Sequence, residues 1–342
     1  MHAMTRNSGV RKIDAQNNRK IEQKQFLMCP TRMAGTFFKQ FLLAAACTLL
    51  PLSAAAADAP ETLPGGWRFA WGDEFKGSKL DPKKWKHELG VIRNRDAVQT
   101  YTKDCVKVRG GKLILISKAK ETKNSTYHPQ KQGWQHQLKT MPYASGSVTT
   151  RDVKHFTCPG RLEIRAKIPK AKGVWPALWT MHVNQYGWPA NGEIDILEHI
   201  SQEPNTCYSI FRWGANGGNQ EHKVIRTTNS PNYSKDFHTY VLEWDEQTMR
   251  ILIDDKEVGS VAISEANYPD GNNPLLTPCY LIMNTAIDGW AEAPAADQYP
   301  VQFEIDYVRY YTKGDAAQAD EPEEAEEEPR KKKKSKKKKS RK

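Results

Sequence analysis

Residues 191–199 read Asn-Gly-Glu-Ile-Asp-Ile-Leu-Glu-His, so that three carboxylates fall within six consecutive positions. The Ile and Leu residues between the acids indicate a β-strand, in which successive side chains point to opposite faces. Glu193 and Asp195 then share one face, whereas strict alternation would turn Glu198 towards the other. One extra residue in the strand, a β-bulge, would return Glu198 to the face of the other two acids.

The crowding of these carboxylates indicates a chemical use, because like charges at short range raise one another's pKa. Two carboxyl groups suffice for hydrolysis of a glycosidic bond, one attacking or activating water and the other protonating the leaving oxygen. On a bulged strand we expect Glu193 and Glu198 to lie about 5–5.5 Å apart, as in enzymes that retain configuration. The alternatives are an edge strand with solvated acids and a hard-cation site, although calcium loops use turn geometry and glycine rather than Ile and Leu.

The composition is that of a globular protein with a charged tail. Of 342 residues, 38% are hydrophobic and 10 are Trp, which is enough for a substantial core. The 11 basic side chains of residues 330–342 account for the whole formal net charge of +11. Because this charge lies in a tail rather than on a folded face, the sequence predicts no nucleic-acid partner.

We predict three segments: residues 1–57, 58–313 and 314–342. The first contains Lys39, an apolar run at 41–52 and Ala55-Ala56-Ala57, the pattern of a signal peptide whose translation starts at Met28 or Met33. The apolar run is too short to span a membrane. We therefore expect a protein that is secreted, periplasmic or bound at the cell surface.

The last segment is acidic over residues 320–328 and then almost purely basic, so it cannot bury a core and is expected to be disordered. Such a tail either contacts anionic surfaces or is simply solvated, and both interpretations stay open.

The middle segment has the pattern of an all-β protein, with many short alternating stretches separated by Gly, Pro and Asn turns. The strand candidates are residues 110–117, 145–150, 161–168, 239–244, 249–253, 280–284 and 303–311. Helical periodicity is nearly absent. Because one all-β domain can exceed 200 residues, we predict that residues 58–313 form a single, monomeric β-sandwich domain.

Cysteine usage leaves the redox state open. Cys29 and Cys47 would be removed with the signal peptide, and four cysteines remain: Cys105, Cys158, Cys207 and Cys279. Their spacing fits no zinc site, so two disulfides or four thiols are both compatible with the sequence.

Three tryptophans, Trp175, Trp179 and Trp188, precede the acids by at most 18 residues. Flat indole rings stack on the C–H faces of sugars at little entropic cost. Most tryptophans are core residues, but this position ahead of paired acids favours a sugar-binding role.

These features together resemble glycoside hydrolase family 16, the laminarinase-like β-jelly rolls, over most of residues 67–311. Residues 193–198 are similar to the bulged E-x-D-x-x-E signature of that family. Further similar stretches are Trp71–Phe75, Gly110–Leu113, Gly160–Pro169, Trp175–Met181, Phe237–Trp244 and Asp306–Arg309. The resemblance implies a β-jelly-roll sandwich with a concave cleft and cleavage of internal bonds of a β-linked glycan, with retention and without a catalytic cofactor.

The resemblance also implies residue roles. Glu193 would be the nucleophile, Asp195 its assisting carboxylate and Glu198 the acid/base. The predicted substrate-binding residues are Trp175, Trp179, Trp213, Asn284, Trp290 and Arg95. A structural calcium of some family members would be held by Glu74, Gly111 and Asp306, although these are equally compatible with ordinary turn and strand residues.

Two departures from the family pattern affect the substrate. Laminarinases often read Asn-Asn-Glu-x-Gln where residues 95–99 read Arg-Asp-Ala-Val-Gln, and Val-Gly-Gly after the cleft asparagine is replaced by Ile-Asp-Gly-Trp at 287–290. Unless they are solvated, Arg93, Arg95 and Arg212 together with Trp290 make the cleft more basic and aromatic. Both β-1,3-glucan and galactose-containing glycans, such as mucin, keratan or algal chains, therefore stay open as substrates.

Two other functions are compatible with the same fold: a carbohydrate-binding protein without activity and a cell-wall transglycosylase. Binding proteins usually lose one of the acids, and this chain keeps all three. The sequence therefore favours a hydrolase.

Overall fold

The computed structural model describes residues 58–93, 95–214, 220–228 and 231–313. The predictions for residues 1–57 and 314–342 lie outside the described residues. In chain order the strands of the described part are β1 (Thr62–Leu63), β2 (Trp67–Asp73), β3 (Lys86–His87), β4 (Gln99–Tyr101), β5 (Val106–Arg109), β6 (Lys112–Lys123), β7 (Thr140–Ser145), β8 (Ser147–Thr149), β9 (Gly160–Lys167), β10 (Val174–His182), β11 (Glu193–Glu198), β12 (Cys207–Gly214), β13 (Gln220–Thr227), β14 (His238–Trp244), β15 (Thr248–Ile253), β16 (Lys256–Ala262), β17 (Cys279–Ile287) and β18 (Val301–Thr312). The short 3-10 helices of the same residues are Lys103–Cys105, Trp134–His136, Ile263–Ala266, Pro274–Leu276 and Ala296–Gln298.

The strands form two sheets, which confirms the prediction of an all-β jelly-roll sandwich. The first sheet, called the cleft sheet below, has the order β13-β12-β11-β10-β17-β8-β3. The second, the outer sheet, has the order β16-β15-β14-β9-β18-β6-β7-β4, with β2 and β5 paired to β18 and β6 and with β1 paired to β2. Strand β11, which carries the three acids, thus has partners on both sides near the middle of the cleft sheet.

The hydrophobic core lies between the two sheets and follows from the alternation along each strand. In β9, Leu162, Ile164 and Ala166 are completely buried, whereas Glu163 and Arg165 between them are half-buried on the outer face. Burying one such aliphatic side chain stabilises the fold by about 1.5–3 kcal/mol relative to leaving it in water. The core thereby fixes which face of each strand in the cleft sheet is left for the site.

The four cysteines of the described part are free thiols, so the structure contains thiols rather than the two disulfides that the sequence left open. Cys105, Cys207 and Cys279 are buried, and Cys158 is half-buried.

Within the residues described, no helix has both the length and the hydropathy needed to cross a bilayer.

Candidate active site

A β-bulge in β11 brings the three carboxylates to one face, as the sequence predicted. Trp179 of β10 pairs with Asp195, but the two residues that precede Trp179 in this antiparallel strand pair with Leu197 and Glu198, so that Ile196 is the extra residue. Ile196 and Leu197 are both completely buried in the core. The bulge therefore directs two consecutive apolar side chains inward and returns Glu198 to the face of the other two acids.

The carboxylates border a cavity of about 550 Å³ on the face of the cleft sheet that is turned away from the core. Its lining residues are Arg93, Trp175, Ala177, Trp179, Met181, Trp188, Glu193, Asp195, Glu198, Arg212 and Asn284. Odd-numbered residues of β10 form much of the floor, because side chains of one parity share a face. A concave site of this size, apolar except for a few converging polar groups, is typical of ligand-binding sites.

Glu193 has two partners that stabilise its ionised form. The indole N–H of Trp188 donates to Oε2 at 2.9 Å, and Nε of Arg212 lies 3.1 Å from Oε1. Burial raises the pKa of Glu193, while the positive charge of Arg212 acts in the opposite direction. Arg212 also lies 3.5 Å from Oδ2 of Asp195 and so links the first two acids. A carboxylate held in this way suits a nucleophile.

Glu198 has an environment that suits a proton donor and acceptor. Burial raises its pKa to about 7, while the indole N–H of Trp175 donates to Oε1 at 2.9 Å and favours the carboxylate. A group that titrates near neutral pH can give a proton in one step and take it back in the next. Burial, together with the charges of Glu198 and Glu193, raises the pKa of Asp195 well above its usual range. Burial thus raises the pKa of all three acids, and the hydrogen-bond partners and charges around each of them differ.

Of the six predicted substrate-binding residues, three line the cavity: Trp175, Trp179 and Asn284. The indole N–H of Trp179 donates to Oδ1 of Asn284 at 2.8 Å, and Nδ2 of Asn284 donates to the hydroxyl of Tyr101 at 3.1 Å. This chain of hydrogen bonds fixes the orientation of the Trp179 ring in the cavity floor.

Trp290 extends the wall beyond the Glu198 end of the cavity. Its ring centroid lies 5.6 Å from that of Trp175 and 4.7 Å from that of Tyr208, and 37% of the residue is exposed. This exposed aromatic surface continues the cavity towards solvent.

Trp213 and Arg95 lie elsewhere than expected. Trp213 packs in the core, because successive side chains of a strand point to opposite faces and its neighbour Arg212 faces the cavity. This placement corrects the prediction of a substrate contact for Trp213. Arg95 is exposed and does not line the cavity, whereas Arg93 of the same segment does.

Five residues that line the cavity are absent from the list of predicted substrate residues: Arg93, Ala177, Met181, Trp188 and Arg212. The sequence pattern favoured a sugar-binding role for Trp188 and indicated that both arginines make the cleft more basic, but it assigned no role to Ala177 and Met181. Alternation along β10 from Trp175 and Trp179 would have indicated Met181. No local pattern reports that Trp188 reaches Glu193, since this contact depends on how the preceding loop folds over the strand.

The two carboxylates predicted to hold calcium are each bound by an arginine side chain. Both oxygens of Glu74 accept hydrogen bonds from Arg309, at 2.8 and 3.0 Å, and Oδ2 of Asp306 accepts one from Arg165 at 2.5 Å. Gly111 lies in the turn between β5 and β6, with φ +68°. Since each carboxylate is already paired with a guanidinium, the arrangement does not fit calcium, and its binding remains an untested prediction. Among the described residues, no group of three or more His, Cys, Asp and Glu residues could hold a metal ion.

Comparison with known proteins gives consistent matches. The sequence pattern of the glycosyl hydrolases family 16 matches residues 116–309. A beta-glucanase from Rhodothermus marinus is 32% identical over 281 residues, which are 77% of this chain and 91% of that protein. A keratan-sulfate endo-1,4-beta-galactosidase from Sphingobacterium multivorum is 32% identical over 179 residues, which are 49% of this chain and 40% of that protein.

One solved structure comes from work on endo-acting O-glycanases that prominent members of the human gut microbiota express to initiate mucin breakdown. It is 47% identical, with a TM-score of 0.73, and the match covers 76% of this chain and 96% of that one.

Proposed function

This chain belongs to the glycosyl hydrolases family 16, and from that membership we propose how it acts and on which glycan. The chain is an endo-acting glycoside hydrolase of β-linked glycans. The proposal is that it cleaves galactose-containing chains of the mucin or keratan type, in two steps and with retention of configuration. The observation that carries the mechanism is the bulge in β11, which brings Glu193 and Glu198 to one cavity in different surroundings.

In the first proposed step, an oxygen of Glu193 attacks the anomeric carbon while Glu198, in its acid form, protonates the leaving glycosidic oxygen. The C–O bond to the leaving sugar breaks, and a covalent glycosyl–Glu193 ester forms. A pKa of about 7 supports this role, because much of Glu198 is then protonated at neutral pH.

In the second proposed step, the carboxylate of Glu198 takes a proton from water, whose oxygen attacks the same carbon and releases Glu193. Two inversions at one carbon give net retention. Asp195 lies between the two glutamates on β11 and, with its raised pKa, is proposed to donate a hydrogen bond to Glu193 as charge on that carboxylate changes.

The choice of a galactose-containing substrate has two supports. The identity of 47% to the O-glycanase structure exceeds the 32% identity to the Rhodothermus marinus beta-glucanase over similar shares of this chain. In addition, Arg93 and Arg212 make the cavity lining more basic, and Trp290, in the stretch 287–290 where the sequence departs from laminarinases, adjoins the cavity.

The first prediction concerns the two glutamates. Glu193→Gln and Glu198→Gln should each lower turnover by a factor on the order of thousands, because nucleophilic and acid/base catalysis are lost. The measurement is release of oligosaccharides from mucin O-glycans, keratan, agarose-type galactans, laminarin and mixed-linkage glucan. Glu257→Gln, an exposed glutamate of the outer sheet, is the matched control and should leave turnover unchanged.

The two roles can be separated with an aryl glycoside whose leaving group needs no proton. Glu198→Gln should recover much of the first step on this substrate, whereas Glu193→Gln should not. Near-normal release by either variant from the polysaccharides contradicts the mechanism. Products enlarged by an added acceptor sugar would instead identify a transglycosylase, and sugar binding without any turnover would identify a carbohydrate-binding protein.

A further inference from the structure

We propose that Arg93 determines specificity by covering the face of Trp179, so that hydrogen bonds replace sugar stacking at this part of the cleft. The inference rests on the proposed function, because it concerns which sugar the same site accepts. Trp179 lines the cavity, but little of its ring is accessible to a sugar.

Trp179 is only 7% exposed although it belongs to the cavity floor. The guanidinium carbon of Arg93 lies 5.1 Å from the centroid of the Trp179 ring and 5.9 Å from that of Tyr101. Arg93 itself lines the cavity, and 27% of its side chain is exposed. A sugar above Trp179 therefore meets the guanidinium before it meets the indole.

Arg93 is held firmly in this position. Its two terminal nitrogens donate to Oε1 and Oε2 of Glu88 at 2.6 and 2.5 Å, in a two-pronged ion pair. Ser147 donates to the same Oε2 at 2.6 Å and so fixes Glu88 as well. Because Glu88 holds the guanidinium, Arg93 does not need a bound sugar to keep its position over Trp179.

The backbone at Arg93 supports a dedicated role. Its φ is +55°, a conformation that side chains other than glycine and asparagine rarely adopt. Strained residues of this kind cluster at ligand-binding sites, where the surrounding structure holds them in place. Here the strained backbone aims Arg93 at the cavity.

The chemical consequence follows from the difference between an indole face and a guanidinium. A bare indole binds the flat apolar face that an all-equatorial β-glucose unit presents. A guanidinium has five N–H donors in a fixed plane, of which Glu88 engages two. Because Glu88 also balances the charge, the pair favours neutral hydroxyls over anionic groups. The axial hydroxyl of galactose projects from one face of the ring, where it prevents close stacking and offers an acceptor to the guanidinium. For a sugar that turns this face towards Trp179, Arg93 therefore favours galactose over glucose.

The test compares two variants by the ratio of kcat/KM on laminarin to kcat/KM on a keratan-type chain. Arg93→Gly combined with Glu88→Gln removes both charges, leaves a glycine that suits the positive φ and uncovers Trp179. Arg93→Lys keeps the charge but lacks the planar group. We expect the ratio to rise at least tenfold in the double variant and severalfold in Arg93→Lys. The control, Arg109→Gly, removes an exposed arginine of the outer sheet and should not change the ratio.

A second measurement keeps this inference separate from the proposed function. In the Glu193→Gln background, quenching of tryptophan fluorescence reports binding of a β-1,3-linked glucose tetrasaccharide and of an N-acetyllactosamine tetrasaccharide. The same shift in relative affinity is expected there. If the wild type releases nothing from either polymer, the proposed function fails while the binding ratio still tests Arg93.

A ratio within twofold of the wild type in a folded double variant overturns the role of Arg93. Should the double variant not fold, the ratio in Arg93→Lys decides alone. An increase in the ratio supports the inference whichever polymer the wild type prefers.

Discussion

At the scale of single residues, Glu193 and Glu198 carry the same carboxyl group but have different neighbours. Trp188 and Arg212 both contact Glu193, whereas Glu198 receives the N–H of Trp175 and has a pKa raised to about 7 by burial. The hydrogen bond from Trp175 favours the ionised form of Glu198 and so keeps the pKa from rising further. The proposed acid and the proposed nucleophile thus differ through their neighbours and not through their residue type.

The pH profile should report this arrangement. The proposed first step needs protonated Glu198, so kcat/KM should fall as pH rises through about 7. Trp175→Phe keeps an aromatic ring beside Glu198 but removes the N–H that favours the carboxylate. The pKa of Glu198 should therefore rise, and the alkaline limb of the profile should move to higher pH.

The matched control is Trp290→Phe, which alters the neighbouring aromatic ring without removing a hydrogen bond to Glu198. Its alkaline limb should stay in place even if KM changes. An alkaline limb of Trp175→Phe that stays put or moves to lower pH contradicts the role of this hydrogen bond.

At the scale of elements, the bulge in β11 couples stability to function. Two consecutive residues, Ile196 and Leu197, both point into the core, and only this irregularity lets Asp195 and Glu198 share the opposite face. The register with β12 shifts at the same place, where Asp195 pairs with Ile210 and Glu198 with Tyr208. The site therefore depends on one extra residue in one strand.

Substitution of the two apolar residues tests the bulge without touching the acids. Ile196→Ala and Leu197→Ala should each lower the free energy of unfolding by about 2–5 kcal/mol, because both leave a cavity in the core. A regular strand would turn one of the two side chains to the cleft, where its loss would cost less than about 1 kcal/mol. Denaturant-induced unfolding measures both values.

Val224→Ala in β13 serves as the control, since Val224 is 48% exposed. Its effect should be below about 1 kcal/mol. A similarly small effect at either Ile196 or Leu197 would show that the strand is regular in solution.

At the scale of the whole molecule, the two sheets have separate tasks. The cleft sheet carries the three acids and most of the cavity floor. The outer sheet closes the core from the other side, and its outer face carries paired charges such as Arg161 with Glu163 and Glu243. The chain then continues into residues 314–342, which are acidic over residues 320–328 and mostly basic from Arg330 onward.

Removal of residues 314–342 tests whether the tail attaches the enzyme to anionic surfaces. The truncated protein should keep its kcat/KM on short soluble oligosaccharides but lose retention on an anionic polysaccharide column at low salt. Salt should release the full-length protein, because exposed charges are screened at high ionic strength. Equal retention of both forms at low salt would refute a role for the tail in attachment.

The local pattern of the sequence predicted much of the fold and of the chemistry. Alternation along residues 161–168 gave a strand that the structure has at Gly160–Lys167, and the spacing from Glu193 to Glu198 required the bulge that is present. These predictions succeed because side-chain direction in a strand depends only on neighbouring residues. The same rule, applied to β12, would have placed Trp213 opposite Arg212, whereas the family pattern assigned it to the substrate.

What the sequence determined by itself is therefore the strand, its bulge and the presence of three acids on one face. Only the tertiary structure decided which partners surround each acid, because burial and the approach of Trp175, Trp188 and Arg212 depend on packing between distant segments. It likewise decided that Arg93 covers Trp179, a contact between residues far apart in the chain. Periodicity is a local property, whereas burial and contacts across the cleft exist only after the sheets have closed on each other.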